Sequence, residues 1–161
     1  TVEGILACDP GPGQTVRLNV AVKQYRGAIR EFAVDVPIPA DCPEGKYIVQ
    51  ICGVDGYQGF LQRTAPQRFM VTDAGSLLAG LAKVLAIPND RLYVWMALAP
   101  SGVAIRTTEL ADLPPSKTAL LTEGKRLVSA TPYRDFVEAS IATDLVLTGM
   151  ANVELTIDKN P

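Results

Sequence analysis

Hydrophobic and polar residues alternate along most of this chain in short runs, and Pro and Gly separate the runs. Over residues 15–25, Val16, Leu18, Val20 and Val22 fall on one face and Arg17, Asn19 and Lys23 on the other, a period of two that predicts a half-buried strand. Before it, the apolar run of residues 2–8 reads as a short strand closed by Asp9, Pro10, Gly11, Pro12 and Gly13, residues whose fixed and permissive backbones suit a turn. Arg26 and Gly27 then turn the chain into residues 29–36, where Phe32, Val34 and Val36 alternate with Glu31 and Asp35. Pro37 and Pro39 end that strand or confine it to an edge. Residues 46–52 give a fourth strand and residues 68–71 a fifth. Strands about ten residues apart with turn signals between them predict an antiparallel sandwich or barrel.

The period changes at Thr72 and Asp73, two good N-cap residues ahead of Leu77, Leu78, Leu81, Val84 and Leu85. Spacings of three and four predict an amphipathic helix, stopped by Pro88. Residues 91–98 are apolar on both faces and read as a central strand covered on both sides. Residues 99–102 read as a hairpin turn into a strand over 103–107, and Leu113, Pro114, Pro115 and Ser116 as the start of a short helix over 117–121 with Ser116 as its cap. Strands return over 136–142, 145–148 and 152–158. The fold class that follows is mainly β with minor α. An antiparallel, immunoglobulin-like β-sandwich over 1–71 is followed by a smaller α+β segment over 72–161 packed on it, unless the two form one continuous domain.

Composition narrows the chemistry. The chain has 161 residues, 48% hydrophobic and 20% charged, with 15 Lys plus Arg against 17 Asp plus Glu for a net charge of −2. That length suits one domain or two very small ones. The charge balance carries no footprint for nucleic acid or an anionic membrane. No apolar run is long enough to span a bilayer, and the N-terminus lacks the layout of a signal peptide; a soluble chain is expected, with any targeting segment removed or outside it. There is no histidine, which removes the usual general base, the usual partner of a Ser or Cys nucleophile and the commonest metal ligand. Cys8, Cys42 and Cys52 match neither a zinc site nor a dense disulfide framework. Buried free thiols are favoured; a bridge from Cys8 to one of the others stays open, and with it the redox compartment.

Several segments taken together resemble a known family. Val22, Lys23, Gln24, Tyr25, Arg26 and Gly27, then Val36, Pro37, Ile38 and Pro39, then Cys42, Pro43, Glu44 and Gly45 are similar to the β-rich region that follows the peptidase region in large bacterial proteins of the SpoIVB-type serine peptidase family. Leu77 to Leu81, Asn89 to Val94, the Leu113 to Ser116 element, Leu145 to Gly149 and Val153 to Leu155 fit the same order. The resemblance implies a secreted, periplasmic or envelope-associated parent whose catalytic part lies N-terminal to this chain. It carries no catalytic residue over to these positions.

Each chemical signal has a plainer reading. No Ser is followed three positions later by Lys, and Ser116 beside Lys117 is better a helix cap. Thr1 as an N-terminal nucleophile yields to a cleavage boundary ahead of a strand. Asp35, Asp55, Asp112, Asp135 and Asp144 are available for paired-carboxylate hydrolysis, and their places on polar faces and at turns make them solvated surface charges. Gly11, Pro12 and Gly13 lack the context of a dinucleotide loop. Asp55 with Gly56 and Asn89 with Asp90 lack the ligand spacing of a calcium site and read as turns. Tyr25, Tyr47, Tyr57, Phe60 and Tyr93 could line a groove but fit core or core-edge packing better, with Trp95 as a buried anchor. No cofactor or metal is expected.

Residues 53–67, with three glycines and the aromatics Tyr57 and Phe60, read as a loop flanked by Arg63 and Arg68. Tyr57, Phe60 and Arg63 are the candidate partner-binding residues, since exposed loops on a rigid scaffold commonly carry binding; the plainer reading is a connection crossing between sheets. The preferred function is a non-catalytic accessory β-domain of a larger bacterial protein. Its partners would be other domains of that parent or a separate protein, without nucleic acid or membrane insertion. The alternative is a hydrolase using carboxylates or a nucleophile that needs no His, and a carbohydrate-binding sandwich ranks below both.

Overall fold

The computed structural model describes residues 2–6, 10–105, 108–111, 114, 116–117, 119 and 130–158. Among them run eight strands and two α-helices: β1 (Val2–Leu6), β2 (Thr15–Lys23), β3 (Ile29–Pro37), β4 (Gly45–Cys52), α1 (Val54–Thr64), α2 (Ala74–Leu85), β5 (Arg91–Ile105), β6 (Thr108–Ala111), β7 (Ala130–Ala142) and β8 (Met150–Ile157). The fold is mainly β, in two sheets. The first has the order β1-β2-β3; the second has the order β6-β5-β4-β8, with β7 also pairing β5. Every pair whose register is defined is antiparallel.

The chain divides into two compact units, each assembled from separate stretches of sequence. One unit comprises Thr1–Tyr57, Pro88–Ala97 and Phe136–Pro161, the other Gln58–Ile87 and Leu98–Asp135. The reason is strand pairing. Both partners of β4, namely β5 and β8, come from after residue 71, so a sheet that starts in the first half of the chain is completed by the second.

In the first unit the alternation does what the sequence predicts. Val16, Leu18, Val20 and Val22 of β2 are buried, with Val16 and Leu18 in register with the buried Val36 and Val34 of β3 and Val20 with Phe32. Each apolar side chain taken fully out of water contributes roughly 1.5–3 kcal/mol. On the outer face Arg17 lies opposite Asp35, 3.6 Å apart and exposed. β3 is the edge of its sheet among the described residues, and Pro37 and Pro39 at its end suit that place. The turn before β2 forms as expected: Gln14 N–H donates to Gly11 O at 3.3 Å, and Ile38 N–H donates to Gln14 O at 2.8 Å. In the second sheet Val49 and Ile51 lie opposite Met96 and Val94. Leu92 through Met96 are all buried, as a strand covered on both faces requires. β1 also runs close beside β8.

In the second unit Asp73 caps α2. Its side chain accepts from Ser76 N–H at 2.7 Å while the Ser76 hydroxyl oxygen accepts from Asp73 N–H at 3.0 Å, a reciprocal capping box. Leu77, Leu78, Leu81 and Leu85 of this helix are exposed. Gln58 Nε2 donates to Val84 O at 3.2 Å, and Arg68 grips both oxygens of Glu109 at 2.7 and 3.1 Å. No described helix is long and apolar enough to cross a membrane.

Four expectations are corrected. Residues 53–67 are not a loop: residues 54–64 form α1, with Asp55 in its first turn and Arg63 in its last, charges that suit the helix dipole. Of the glycines read as loop formers, Gly56 serves close packing, since a Cβ there would lie 2.7 Å from the Cβ of Cys52, while Gly59 has open space around it. The strand expected at 68–71 is a 3-10 turn, Pro66–Phe69, where Pro66 supplies a fixed φ and lacks the donor a strand ladder uses. The hairpin expected at 99–102 does not form, because β5 runs on to Ile105 and pairs there with β6. Residues 145–148 lie outside any strand. The helix expected at 113–121 and the roles of Asp112 and Cys8 fall largely or wholly outside the described residues; Ser116 itself is helical and Lys117 N–H donates to Pro114 O at 2.9 Å.

Candidate functional site

The first unit holds an open cleft of about 590 Å³, walled on one side by Val22, Lys23, Gln24, Tyr25 and Arg26 and on the other by Leu145, Val146, Leu147 and Thr148. The first wall is the tip of the β2–β3 hairpin. Gly27 N–H closes the turn on Gln24 O at 3.5 Å, and Arg26 takes the left-handed conformation, φ 56°. That geometry turns the chain within a few residues and projects the Tyr25 ring outward, 89% exposed, with the Arg26 guanidinium 5.2 Å from its centroid. A cation over an aromatic face is attracted by the ring quadrupole.

The second wall is held from below. Thr143 is buried, its N–H and its hydroxyl both donating to Asp90 O at 2.9 and 3.0 Å. Asp144 follows with φ 55° and reverses the chain. Leu147 is buried, and its carbonyl lies so close to Gly53 that a Cβ there would sit 2.0 Å from it. Val146, between these anchors, is 71% exposed. Burial thus alternates along the wall as in a strand, with Leu147 inward and Val146 and Thr148 outward.

A second cluster lies behind β4 and β5. Cys52 and Gln50 are in register with Tyr93 and Trp95, so the four share one face of the sheet. The Tyr57 ring stacks on that of Tyr93, 4.3 Å between centroids and 7° from parallel. Tyr57 donates its hydroxyl to Glu138, and Tyr93 donates to Pro88 O at 2.8 Å. Burial, with the Glu138 carboxylate beside it, holds the Tyr57 hydroxyl well above the usual phenol range, and burial raises Tyr93 as well. Burial also pushes the Cys52 thiol up to about 11, which disfavours the thiolate a nucleophile needs. Cys42 and Cys52 are free and buried; Tyr47, driven up to about 12 by burial and then by Cys42, donates its hydroxyl to Pro43 O at 2.9 Å. This cluster is packing.

The residues singled out in the sequence fall in different places. Phe60 is 1% exposed and belongs to the core, Tyr57 is half-buried against Tyr93, and Arg63 is exposed in the last turn of α1. The three do not form an exposed loop. Trp95 is buried, as an anchor should be. Asp35, Asp41, Asp55 and Asp144 are exposed, and among the described residues no three acidic or Cys side chains gather as metal ligands would. Neither wall of the cleft is legible from pattern alone: Tyr25 fits core or core-edge packing with the other aromatics, and residues 145–148 fit a strand. The available signal was the Arg26–Gly27 turn, which places Tyr25 at a hairpin tip.

No protein-family model matches the chain, and neither a curated protein nor a solved structure matches it.

Proposed function

We propose that this chain is a non-catalytic accessory β-domain that makes contacts with other domains of a larger protein or with a protein partner. The observation that carries the reading is the cleft in the first unit, where the exposed Tyr25 ring with its Arg26 companion faces the exposed Val146 across a gap whose walls are anchored in the sheets. An exposed aromatic beside an Arg on a rigid hairpin is the type of anchor protein contacts use. Carboxylates dispersed over exposed positions and a buried thiol held protonated fit the same reading. We read the two antiparallel sheets as an immunoglobulin-like sandwich, a scaffold that suits such a role. The resemblance of the hairpin and the Pro-flanked edge strand to the region after SpoIVB-type peptidases supports a secreted or envelope-associated bacterial parent.

The test is a hydrolysis assay of the purified chain on casein, a p-nitrophenyl ester and a p-nitrophenyl glycoside. The accessory role predicts rates indistinguishable from buffer. Hydrolysis that disappears when one carboxylate or one Ser is replaced overturns it.

A further inference from the structure

Residues 145–148 have the burial alternation of a strand and, among the described residues, pair with no strand. Among the described residues the backbones of Val146, Leu147 and Thr148 make no hydrogen bond, although Val146 and Thr148 sit at the surface on a wall fixed by Thr143 and Leu147. The Leu147 carbonyl is turned onto Gly53, and the unpaired backbones of Val146 and Thr148 beside an open cleft are a template for an added strand. Strand addition needs about 4.7–4.9 Å between neighbouring backbones and about 3.3 Å of length per residue. The open cleft facing this segment lies beside it along its whole four-residue length.

The side chains around the cleft indicate what such a strand carries. Among the described residues, Lys23 and Arg26 are the charged residues of the lining and no acidic residue lines it; the neighbouring Asp144 is exposed. Tyr25, Val146 and Leu145 supply apolar surface to the lining. Resting on the accessory-domain reading, we propose that the cleft receives an extended segment of a partner protein, which pairs its backbone with Val146 and Thr148 and presents an acidic side chain to Arg26. Guanidinium and carboxylate form charge-assisted, bidentate hydrogen bonds, and the backbone pairing supplies affinity independent of the segment's other side chains.

The experiment pans a phage-displayed library of random 12-residue peptides against the whole chain and titrates an enriched synthetic peptide into 15N-labelled protein. Enriched sequences should alternate apolar and polar residues around an Asp or Glu, and the amide shifts should concentrate on Val146, Leu147, Thr148, Tyr25 and Arg26. Val146→Pro removes one backbone donor at an exposed site and should weaken binding about tenfold. Arg26→Asn removes the charge at a residue type that tolerates the left-handed conformation, and should weaken binding about five- to tenfold while changing the preference for an acidic residue. Far-UV circular dichroism of both variants should match the parent. Unchanged affinity in Arg26→Asn overturns the proposal even if Val146→Pro fails to fold. Peptides whose shifts map to the β3 edge or the α2 leucines overturn the cleft assignment and leave the accessory reading standing. An absence of enriched peptides overturns the assignment too, and the hydrolysis assay then decides on the accessory reading separately.

Discussion

At the scale of single residues, Cys52 shows how burial decides chemistry. Its thiol is raised from 9.0 to about 11, chiefly because the buried site penalises the thiolate, with Trp95 acting weakly the other way. The unfolded chain loses that proton at lower pH than the folded one, so between these two values the folded state binds more protons and stability declines as pH rises. The contribution is fully present below about pH 9 and is lost as pH passes through about 11. Urea unfolding of the parent and of Cys52→Ala at about pH 8 and about pH 10.5 should show the parent losing more stability over that interval than the variant. Equal losses would remove Cys52 as the cause. At neutral pH a thiol reagent should reach Cys42 and Cys52 only after unfolding, since both are buried.

At the scale of elements, the parts legible in the sequence were those whose pattern is local. β2 and β3 follow a period of two, α2 announces itself by Asp73 and its three-and-four spacing, and β5 by its unbroken apolar run. α1 was illegible because Gly56 and Gly59 weaken its helix propensity, and what holds it comes from elsewhere in the chain: Tyr57 on Tyr93, buried Phe60, and the fit of Gly56 against Cys52. The wall of the cleft was half legible. Leu145, Val146, Leu147 and Thr148 carry a strand's alternation, but whether a neighbour pairs with them is a property of the tertiary structure. How that wall is seated can be tested at Gly53. An added Cβ meets the Leu147 carbonyl at 2.0 Å, a backbone atom that cannot step aside by a rotamer change. Gly53→Ala should therefore destabilise the protein by about 1–3 kcal/mol, read as a lower midpoint in urea. A midpoint within error of the parent's would mean that residues 143–149 are not seated on β4 as described.

At the scale of the whole molecule, the two units are not consecutive pieces of sequence. The chain passes from one to the other after Tyr57, Ile87, Ala97 and Asp135, so a change of period along the sequence cannot mark their limits. Net charge is only −2, which leaves recognition to local features such as the hairpin tip. There the chain places an arginine at φ 56°, a conformation that costs a residue with an ordinary side chain roughly 1–2 kcal/mol and that Asn or Gly adopts more easily. Arg26→Asn should accordingly raise the thermal midpoint by a few degrees, the same variant that weakens capture of an acidic strand. A midpoint that falls instead would show the Arg26–Tyr25 stacking to outweigh the backbone term. Selection for heat resistance alone would thus be expected to discard this arginine, and selection for partner capture to keep it.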